Sequence, residues 1–273
     1  MSTTTVDRTH PAAARGGRAV RDTLVVMRRN LRAMRRQRQL VTFAVVQPVM
    51  LVLLFNFVFG GSIGQVLPSG IEYIDYLLPG VLVLVVAFGS GQTAVGMSQD
   101  LTQGMIDRFR SLPMARSAVL AGRVLADVVR ISGTVLLVTG VGALLGWRSS
   151  EGVLPALAGF VVVVAFGLAM SWIAAWIGMS VRDPETAQIA GLVWLFPLVF
   201  VSSAFLQIET FDPWLETFAR WNPITIFVDL ARGLVTQAPF EVTSDLWWKA
   251  AGWLVVILGV FAPLAVRQYR RVS

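Results

Sequence analysis

The sequence contains no cysteine and a single histidine, and these two scarcities exclude several classes of function. Without cysteine the chain has no disulfide, no thiolate metal site and no cysteine nucleophile. The one histidine, His10, stands in a polar N-terminal tail. A histidine-based catalytic dyad in the apolar part of the chain, or a metal site with several histidine ligands, therefore cannot form within one chain.

Lysine is almost absent as well, and this bears on nucleotide binding. The only lysine is Lys249, in the stretch LWWKAAG. A P-loop, GxxxxGK[ST], needs its lysine to hold the phosphates of the nucleotide. The chain therefore cannot bind ATP by that route, and if it transports a substrate at the expense of ATP, the motor is a separate polypeptide.

Charged residues make up only 14% of the sequence, against 55% hydrophobic residues, and the mean hydropathy is +0.68. This composition indicates an integral membrane protein. A helix needs about 20 apolar residues to cross ~30 Å of hydrocarbon. We predict an all-α fold in which six stretches reach that length: Leu40 to Phe59, Tyr76 to Met97, Val124 to Trp147, Val153 to Met179, Thr186 to Leu206 and Leu246 to Val266.

The positive charge is placed as membrane proteins place it. The formal net charge is +7, and nine arginines with one acid lie between Arg15 and Arg38. The last predicted span also ends in arginines, whereas residues 207–245 contain six acids and two arginines. Positive flanks mark the cytoplasmic side, so both termini are predicted to be cytoplasmic and the chain multi-pass. The pattern does not favour nucleic-acid binding.

The chain before the first span divides into two parts. Residues 1–17, rich in Thr, Ala, Gly and Arg, are predicted to be a disordered cytoplasmic tail. Residues 18–39 are predicted to form an amphipathic helix on the membrane surface, the alternative being an ordinary positive flank. Residues 40–273 form the predicted six-span domain. The apolar stripe of the helix comprises Val20, Leu24, Met27, Leu31 and Met34.

Two short amphipathic stretches lie between predicted spans 5 and 6. They run from Phe211 to Trp221 and from Ile224 to Val235, joined by Asn222-Pro223, and each is too short to span. Re-entrant backbone is tolerated where protein buries it. We therefore predict an outer helical hairpin that dips into the membrane.

Ionisable residues are missing from the central portions of the six predicted spans, where Gln47, Asn56 and Gln92 supply polarity. A proton- or ion-coupled transporter usually carries such a residue near mid-membrane, so this class is disfavoured. Asp127, within helical reach of Arg123 and Arg130, is placed at the cytoplasmic end of span 3. There the three side chains are predicted to pair and anchor the helix at the interface, the alternative being a direct role in coupling.

The longest polar interruption on the cytoplasmic side runs from Ser98 to Ser117. It is predicted to form a short helix from Leu101 to Leu112, which Pro113 ends because proline lacks an N–H donor. An apolar stripe on this helix can pack on a partner protein. The segment carries no catalytic group, and we predict that force from another protein enters the chain here.

These features resemble the ABC type-2 exporter permeases, and within them the daunorubicin-resistance (DrrB-like) family. The likeness covers nearly the whole chain beyond residue 20. It rests on the six spans, the arginine-rich N-terminal helix, the spacing G-x-x-x-R-x-x-x-x-P-x-x-R (Gly104, Arg108, Pro113, Arg116), Gly122-Arg123, and the stretch from Ser202 to Leu234.

The resemblance implies a permease half in a bacterial plasma membrane. It is expected to pair with a second, identical permease chain and to bind two ABC ATPase subunits. ATP and Mg would be used by those ATPases, with no cofactor bound by this chain. In such families the loop between spans 2 and 3 is a coupling helix, and spans 2 and 5 line the path. That assigns coupling to Gly104, Met105, Arg108, Phe109 and Pro113, and the path to Phe88, Gln92, Phe196, Phe200 and Phe205, each phenylalanine alternatively being a packing or lipid contact.

The sequence and the resemblance together predict the non-enzymatic membrane subunit of an ATP-driven exporter for a hydrophobic or amphipathic, drug-like compound. A large apolar substrate suits walls with aromatic side chains and few charges. Two alternatives stay open: an exporter of a lipid or lipid-linked envelope polymer, and a non-catalytic membrane subunit for assembly or immunity.

Overall fold

The computed structural model describes residues 12–36, 38–63, 71–105, 116–205, 208–236 and 242–272. The regular secondary structure of these residues is helical, with no β-strand among them. The predicted all-α fold is confirmed. A π-helical turn, Phe55–Phe59, continues α2, and a 3-10 turn, Ile208–Thr210, precedes α10. The α-helices are α1 (Ala12–Arg36), α2 (Arg38–Leu54), α3 (Gly60–Ile63), α4 (Tyr73–Gly89), α5 (Gly91–Thr102), α6 (Arg116–Leu144), α7 (Val153–Ser180), α8 (Pro184–Val193), α9 (Leu195–Phe200), α10 (Pro213–Trp221), α11 (Pro223–Val235) and α12 (Ser244–Val272).

Four helical stretches are long and apolar enough to cross a membrane. They correspond to predicted spans 2, 3, 4 and 6. The first combines α4 and α5, which are separated only by a turn at Ser90. The stretches are Tyr73–Thr102, Leu120–Leu144, Val153–Ser180 and Ser244–Arg271.

The other two predicted spans are shorter and interrupted. Val46–Val58 and Pro184–Phe200 are apolar helical stretches below span length. The first contains Pro48 and passes into the π-helical turn. The second is divided into α8 and α9 by a turn at Trp194, because Pro197 has no N–H to bond the carbonyl one turn earlier. The described residues thus contain four span-length helices where the sequence predicts six.

Helix α7 lies at the centre and packs against α12, α5, α11 and α4. On α7, Phe166 stacks on Phe227 of α11 with ring centroids 4.5 Å apart. Nearer its end, Gly178 lies directly against the backbone of Ala94 in α5, where a Cβ would overlap the Ala94 carbonyl oxygen. A glycine is required there because only the absence of a side chain lets the two helices approach so closely.

The N-terminal helix packs through a face that the sequence does not predict. Val26 is buried, and Gly122 of α6 lies against Val26 and the carbonyl oxygen of Thr23. Leu24, from the apolar stripe predicted to face the membrane surface, is exposed on the protein. Helix α1 also begins at Ala12, inside the predicted disordered tail, whereas residues 1–11 lie outside the described residues. We call this end of the bundle, which holds α1 and the end of α5, the α1 end.

At the opposite end, which we call the α10 end, two short helices follow each other, separated only by Asn222. Helices α10 and α11 match the two predicted amphipathic stretches. The side chain of Asn222 caps α11 by accepting a hydrogen bond from the Ile224 N–H at 2.9 Å, and it donates to the Leu198 carbonyl at 2.7 Å. Helix α11 is largely buried, whereas α10 exposes Trp214 and Phe218.

Candidate functional site

A cavity of about 190 Å³ lies between α2, α4, α5 and α6, beside the turn that follows α9. Its lining combines aromatic and polar side chains. The side chains that matter for its chemistry are Gln47, Phe88, Gln92, Arg130, Thr134 and Phe205. Three of the five residues predicted to line a substrate path, Phe88, Gln92 and Phe205, therefore share one cavity.

The break between α4 and α5 shapes one wall of this cavity. The Ser90 hydroxyl donates to the Ala87 carbonyl at 2.6 Å, which competes with the regular helical ladder. Gly89 and Gln92, on either side of the break, both line the cavity. The small-residue run from Gly89 to Thr93 therefore lies against open space on one side.

The most polar feature of the cavity is Arg130 on α6. It is the midpoint of this 29-residue helix, about 21 Å from either end. Its Nε donates to Asp127 Oδ1 at 3.4 Å and its Nη2 donates to the Gly89 carbonyl at 2.9 Å. The other carboxylate oxygen of Asp127 accepts from the Thr93 hydroxyl at 2.6 Å. A charged pair is thus held inside the bundle by one group of α4 and one group of α5.

This placement differs from the sequence prediction, which puts Asp127 and Arg130 at the end of a span that begins at Val124. Helix α6 begins at Arg116, so both residues fall inside the helix and inside the span-length stretch Leu120–Leu144. Their side chains are 7% and 16% exposed, so the pair is buried rather than directed to an interface. An ionisable pair therefore lies inside this helix, away from both of its ends.

The aromatic residues of the predicted path separate into two groups. Phe205 stacks on Phe55 at 4.8 Å and lines the cavity together with Phe88. Phe196 meets Phe88 edge-on at 5.9 Å and stacks on Phe200 at the same distance, which extends the aromatic row away from the cavity. Phe196 and Phe200 are 46% and 67% exposed, so they form a surface rather than a cavity wall.

The predicted coupling residues are only partly described. Gly104 follows the end of α5 with φ of +64°, a left-handed conformation that ends a helix and favours glycine. Its N–H donates to the Leu101 carbonyl at 3.1 Å, and Met105 comes directly after it. Arg108, Phe109 and Pro113 lie outside the described residues. The local reason for glycine at position 104 is therefore a helix C-terminus.

An ionic cluster joins three helices just before this segment. Asp100 of α5 accepts from Arg123 of α6 and lies 3.8 Å from Arg29 of α1. The Arg123 guanidinium rests against Gly96, where any Cβ would overlap it. The end of α5, which leads into the predicted coupling residues, is thus linked to α1 and α6 through Asp100.

A second ion pair, whose arginine is buried, lies at the α10 end and was not predicted from the sequence. Arg232 donates to Asp229 Oδ1 at 3.2 Å, to the Tyr76 carbonyl at 3.2 Å and to the Ser203 carbonyl at 3.1 Å. Its guanidinium also covers the Tyr76 ring at 3.8 Å. The signal that could have found both pairs is the spacing Asp-x-x-Arg, which occurs at 127–130 and at 229–232.

The cavity offers binding groups but, in the part of the chain that the structure describes, no cluster of three His, Asp or Glu that could hold a metal. Aromatic faces, two amides and a guanidinium are suited to hold a ligand with an apolar body and a polar head. The geometry therefore supports recognition and passage of a molecule.

Comparison of the sequence with known proteins identifies its family. A family model described as ABC-2 type transporter matches residues 21–235. The chain is 33% identical over 227 residues, 83% of this chain and 78% of the relative, to the daunorubicin resistance ABC transporter permease protein DrrB1 of Streptomyces coeruleorubidus. It is 26% identical, over 93% of this chain and 90% of the relative, to the probable doxorubicin resistance ABC transporter permease protein DrrC of Mycobacterium tuberculosis. It is 20% identical, over 93% and 89%, to the putative transport permease ycf38 of Cyanophora paradoxa.

Proposed function

The chain belongs to the ABC-2 type transporter family, and on that premise we propose that it is the permease subunit of an exporter that moves a hydrophobic or amphipathic compound out of the cell. A separate ABC ATPase hydrolyses the ATP with Mg. The observation that carries the proposal is the family match over residues 21–235, together with two relatives named as drug-resistance permeases. The apolar, aromatic cavity supports a drug-like substrate.

The membrane arrangement that we propose keeps six crossings in a bacterial plasma membrane. The two shorter apolar stretches, α2 with its π-helical turn and α8 with α9, would complete the crossings within a dimer with a second, identical permease chain. The arginine-rich α1 would lie on the cytoplasmic surface with both termini, since Leu24 and Val25 face outward from the bundle. The hairpin of α10 and α11 would dip in from outside, because buried α11 satisfies the condition for re-entrant backbone.

The segment from Ser98 to Ser117 would receive force from two copies of the ATPase. Gly104 and Met105 would begin the contact, and Arg108, Phe109 and Pro113 would complete it. The Asp100 cluster supports this assignment, because it links the start of the segment to α1 and α6. ATP has only to favour one state of the bundle over the other for the motion to follow.

The substrate would pass along Phe88, Gln92 and Phe205, which line the cavity, and along Phe196 and Phe200 on the adjoining surface. The aromatic row from Phe88 to Phe200 supports a path that continues from the cavity to this surface. Single replacement of Phe88 or Phe205 by Leu is expected to change which compounds stimulate ATP hydrolysis, whereas the same change at exposed Phe218 on α10 serves as a matched control.

The experiment that tests the function is purification of the detergent-solubilised chain from its native membrane. We expect a P-loop ATPase to co-purify in equal amount and to be stimulated by amphipathic drugs. Stimulation by lipids alone would instead favour the lipid or polymer exporter. Purification without an ATPase, and without nucleotide-dependent activity, would contradict both export functions and leave an assembly or immunity subunit.

The coupling assignment has its own test. Arg108→Glu or Phe109→Ala is expected to leave membrane insertion intact but to abolish the stimulation of ATP hydrolysis by substrate. Arg271→Glu, an equal change of charge at the exposed end of α12, is the control. Normal substrate-stimulated hydrolysis in the position 108 and 109 variants would remove the assignment.

A further inference from the structure

Arg130 gives the cavity a chemical preference that apolar walls alone do not have. We infer that the cavity takes an amphipathic molecule with an acidic head group, whose oxyanion accepts hydrogen bonds from Arg130 while its apolar body lies against Phe88 and Phe205. The inference deepens the proposed function and rests on it only in treating the cavity as part of the transport path.

The Arg130 guanidinium has N–H donors that bond no other described residue. Arginine carries five N–H donors and stays charged at all working pH values. One of them bonds Asp127 through Nε, and one bonds the Gly89 carbonyl through Nη2. Among the described residues, Nη1 meets no acceptor. At least two N–H groups of a charged side chain are therefore available to a ligand.

The arrangement of the acid makes the cavity positive. Asp127 contacts the guanidinium only through its Nε edge, and its second oxygen is held by Thr93. Asp127 does not line the cavity, and none of the described lining residues is acidic. Gln47, Gln92 and Thr134 are neutral. A head group that enters the cavity meets one cation and no anion.

The surroundings strengthen this preference. Away from bulk water a charged donor without an acceptor is costly, and hydrogen bonds between guanidinium and oxyanion groups are among the strongest in proteins. The volume of about 190 Å³ far exceeds the ~10–15 Å³ that one water needs. A neutral head group would accept weaker hydrogen bonds from these donors, and a cationic head group would be repelled.

The preference is measured with three fluorescent probes that share an apolar body: pyrenebutyrate, pyrenebutanol and pyrenebutylamine. The full chain, with any subunit that co-purifies, is placed in nanodiscs of zwitterionic lipid without nucleotide, and each Kd is obtained by titration. We expect pyrenebutyrate to bind roughly tenfold to a hundredfold more tightly than the other two, the range for a hydrogen bond to a charged group. Equal affinities would overturn the inference.

Variants assign the preference to Arg130. Arg130→Gln is expected to remove it, and the double variant Asp127→Asn with Arg130→Gln does the same without leaving a buried acid unpaired. Gln92→Glu is expected to reduce the affinity for pyrenebutyrate about tenfold by adding an anion to an exposed position of the lining. Arg220→Gln, at an exposed ion pair on α10, is the matched control and should change nothing. A preference that survives both Arg130→Gln variants, or is unmoved by Gln92→Glu, contradicts the inference.

A competition experiment separates two sources of the acidic head group. Phosphatidylglycerol added to the nanodiscs would displace pyrenebutyrate if the natural ligand is an anionic lipid. No displacement would assign a small amphipathic acid. Because binding is measured without ATP, the inference and the proposed function fail separately: absence of an ATPase partner overturns the function, and equal probe affinities overturn the inference.

Discussion

Two ion pairs in this bundle have the same sequence spacing and opposite environments. Asp127 and Arg130 on α6, like Asp229 and Arg232 on α11, are separated by three residues on one helix face. In the α6 pair the acid is the deeper partner, 7% exposed against 16% for the arginine. In the α11 pair the order is reversed, with the arginine 3% exposed and the acid 35%.

The reversal determines what each arginine can do. Arg232 bonds Asp229 and the carbonyls of Tyr76 and Ser203, so its guanidinium joins α11 to α4 and to the chain after α9. Arg130 bonds one carboxylate and one carbonyl and faces a cavity. The two pairs thus have the same sequence spacing but different roles. Arg232 links helices through hydrogen bonds, whereas Arg130 is available to a ligand.

The largest expected effect on stability is that of replacing Arg232. Arg232→Ala should lower the free energy of unfolding by roughly 3–5 kcal/mol, since it removes a buried guanidinium together with its hydrogen bonds to Asp229 and to the Tyr76 and Ser203 carbonyls. Denaturant titration of the solubilised chain measures the loss. Arg220→Ala, at an exposed pair on α10, should cost less than about 1 kcal/mol. Similar losses of unfolding free energy in the two variants would show that the hydrogen bonds of Arg232 do not stabilise the bundle.

Two glycines test how rigid the surroundings of each pair are. A Cβ on Gly80 would lie 2.5 Å from the Ala204 carbonyl oxygen, next to Ser203, whereas a Cβ on Gly89 would first meet the movable Nη1 of Arg130 at 3.4 Å. Gly80→Ala should therefore cost about 1–3 kcal/mol of unfolding free energy by overpacking, and Gly89→Ala close to none. Equal costs would mean that the cavity side is as tightly constrained as the α10 end.

How much of this the sequence could predict depends on whether a feature is local. The apolar lengths of α4 with α5, α6, α7 and α12 predict four spans that the structure also has, and Pro197 marks the place where α8 and α9 separate. Glycine at position 104 suits the helix end found there. Each of these follows from residues close in the chain.

The depth of Arg130 could not be predicted, because it depends on groups far away in sequence. The sequence predicts Asp127 and Arg130 at the cytoplasmic end of a span that begins at Val124, since charge in hydrocarbon is expensive. The Gly89 carbonyl on α4 and the Thr93 hydroxyl on α5 form the hydrogen bonds that offset this cost. The meeting of Phe88 with Phe205 in one cavity, and the exposure of Phe196 and Phe200, are likewise set by packing between helices.

A double-mutant cycle distinguishes the pairs more finely. For the α6 pair, Asp127→Asn with Arg130→Gln should be more stable than either single variant, because each single change leaves one charge uncompensated. For the α11 pair, Asp229→Asn with Arg232→Gln should stay as unstable as Arg232→Gln, since the hydrogen bonds that Arg232 donates to the Tyr76 and Ser203 carbonyls are lost in both variants. The two coupling energies should differ by about 1 kcal/mol, and equal values would remove the distinction.

The smallest effect involves an aspartate in neither pair. Asp183 is exposed and caps α8, and the N–H of Thr186, which donates to its carboxylate at 2.7 Å, together with the Thr186 hydroxyl lowers the pKa of Asp183 below its ordinary value. Because the folded pKa is the lower one, this stabilisation is complete above the unfolded pKa of about 3.9 and is lost as the pH falls through the folded pKa. The difference in melting temperature between the parent chain and Asp183→Ala should therefore be constant from pH 7 to 5 and shrink below pH 4. A difference that stays constant down to pH 3 would mean that the carboxylate charge does not contribute to the cap, in contrast to the two aspartates that hold arginines.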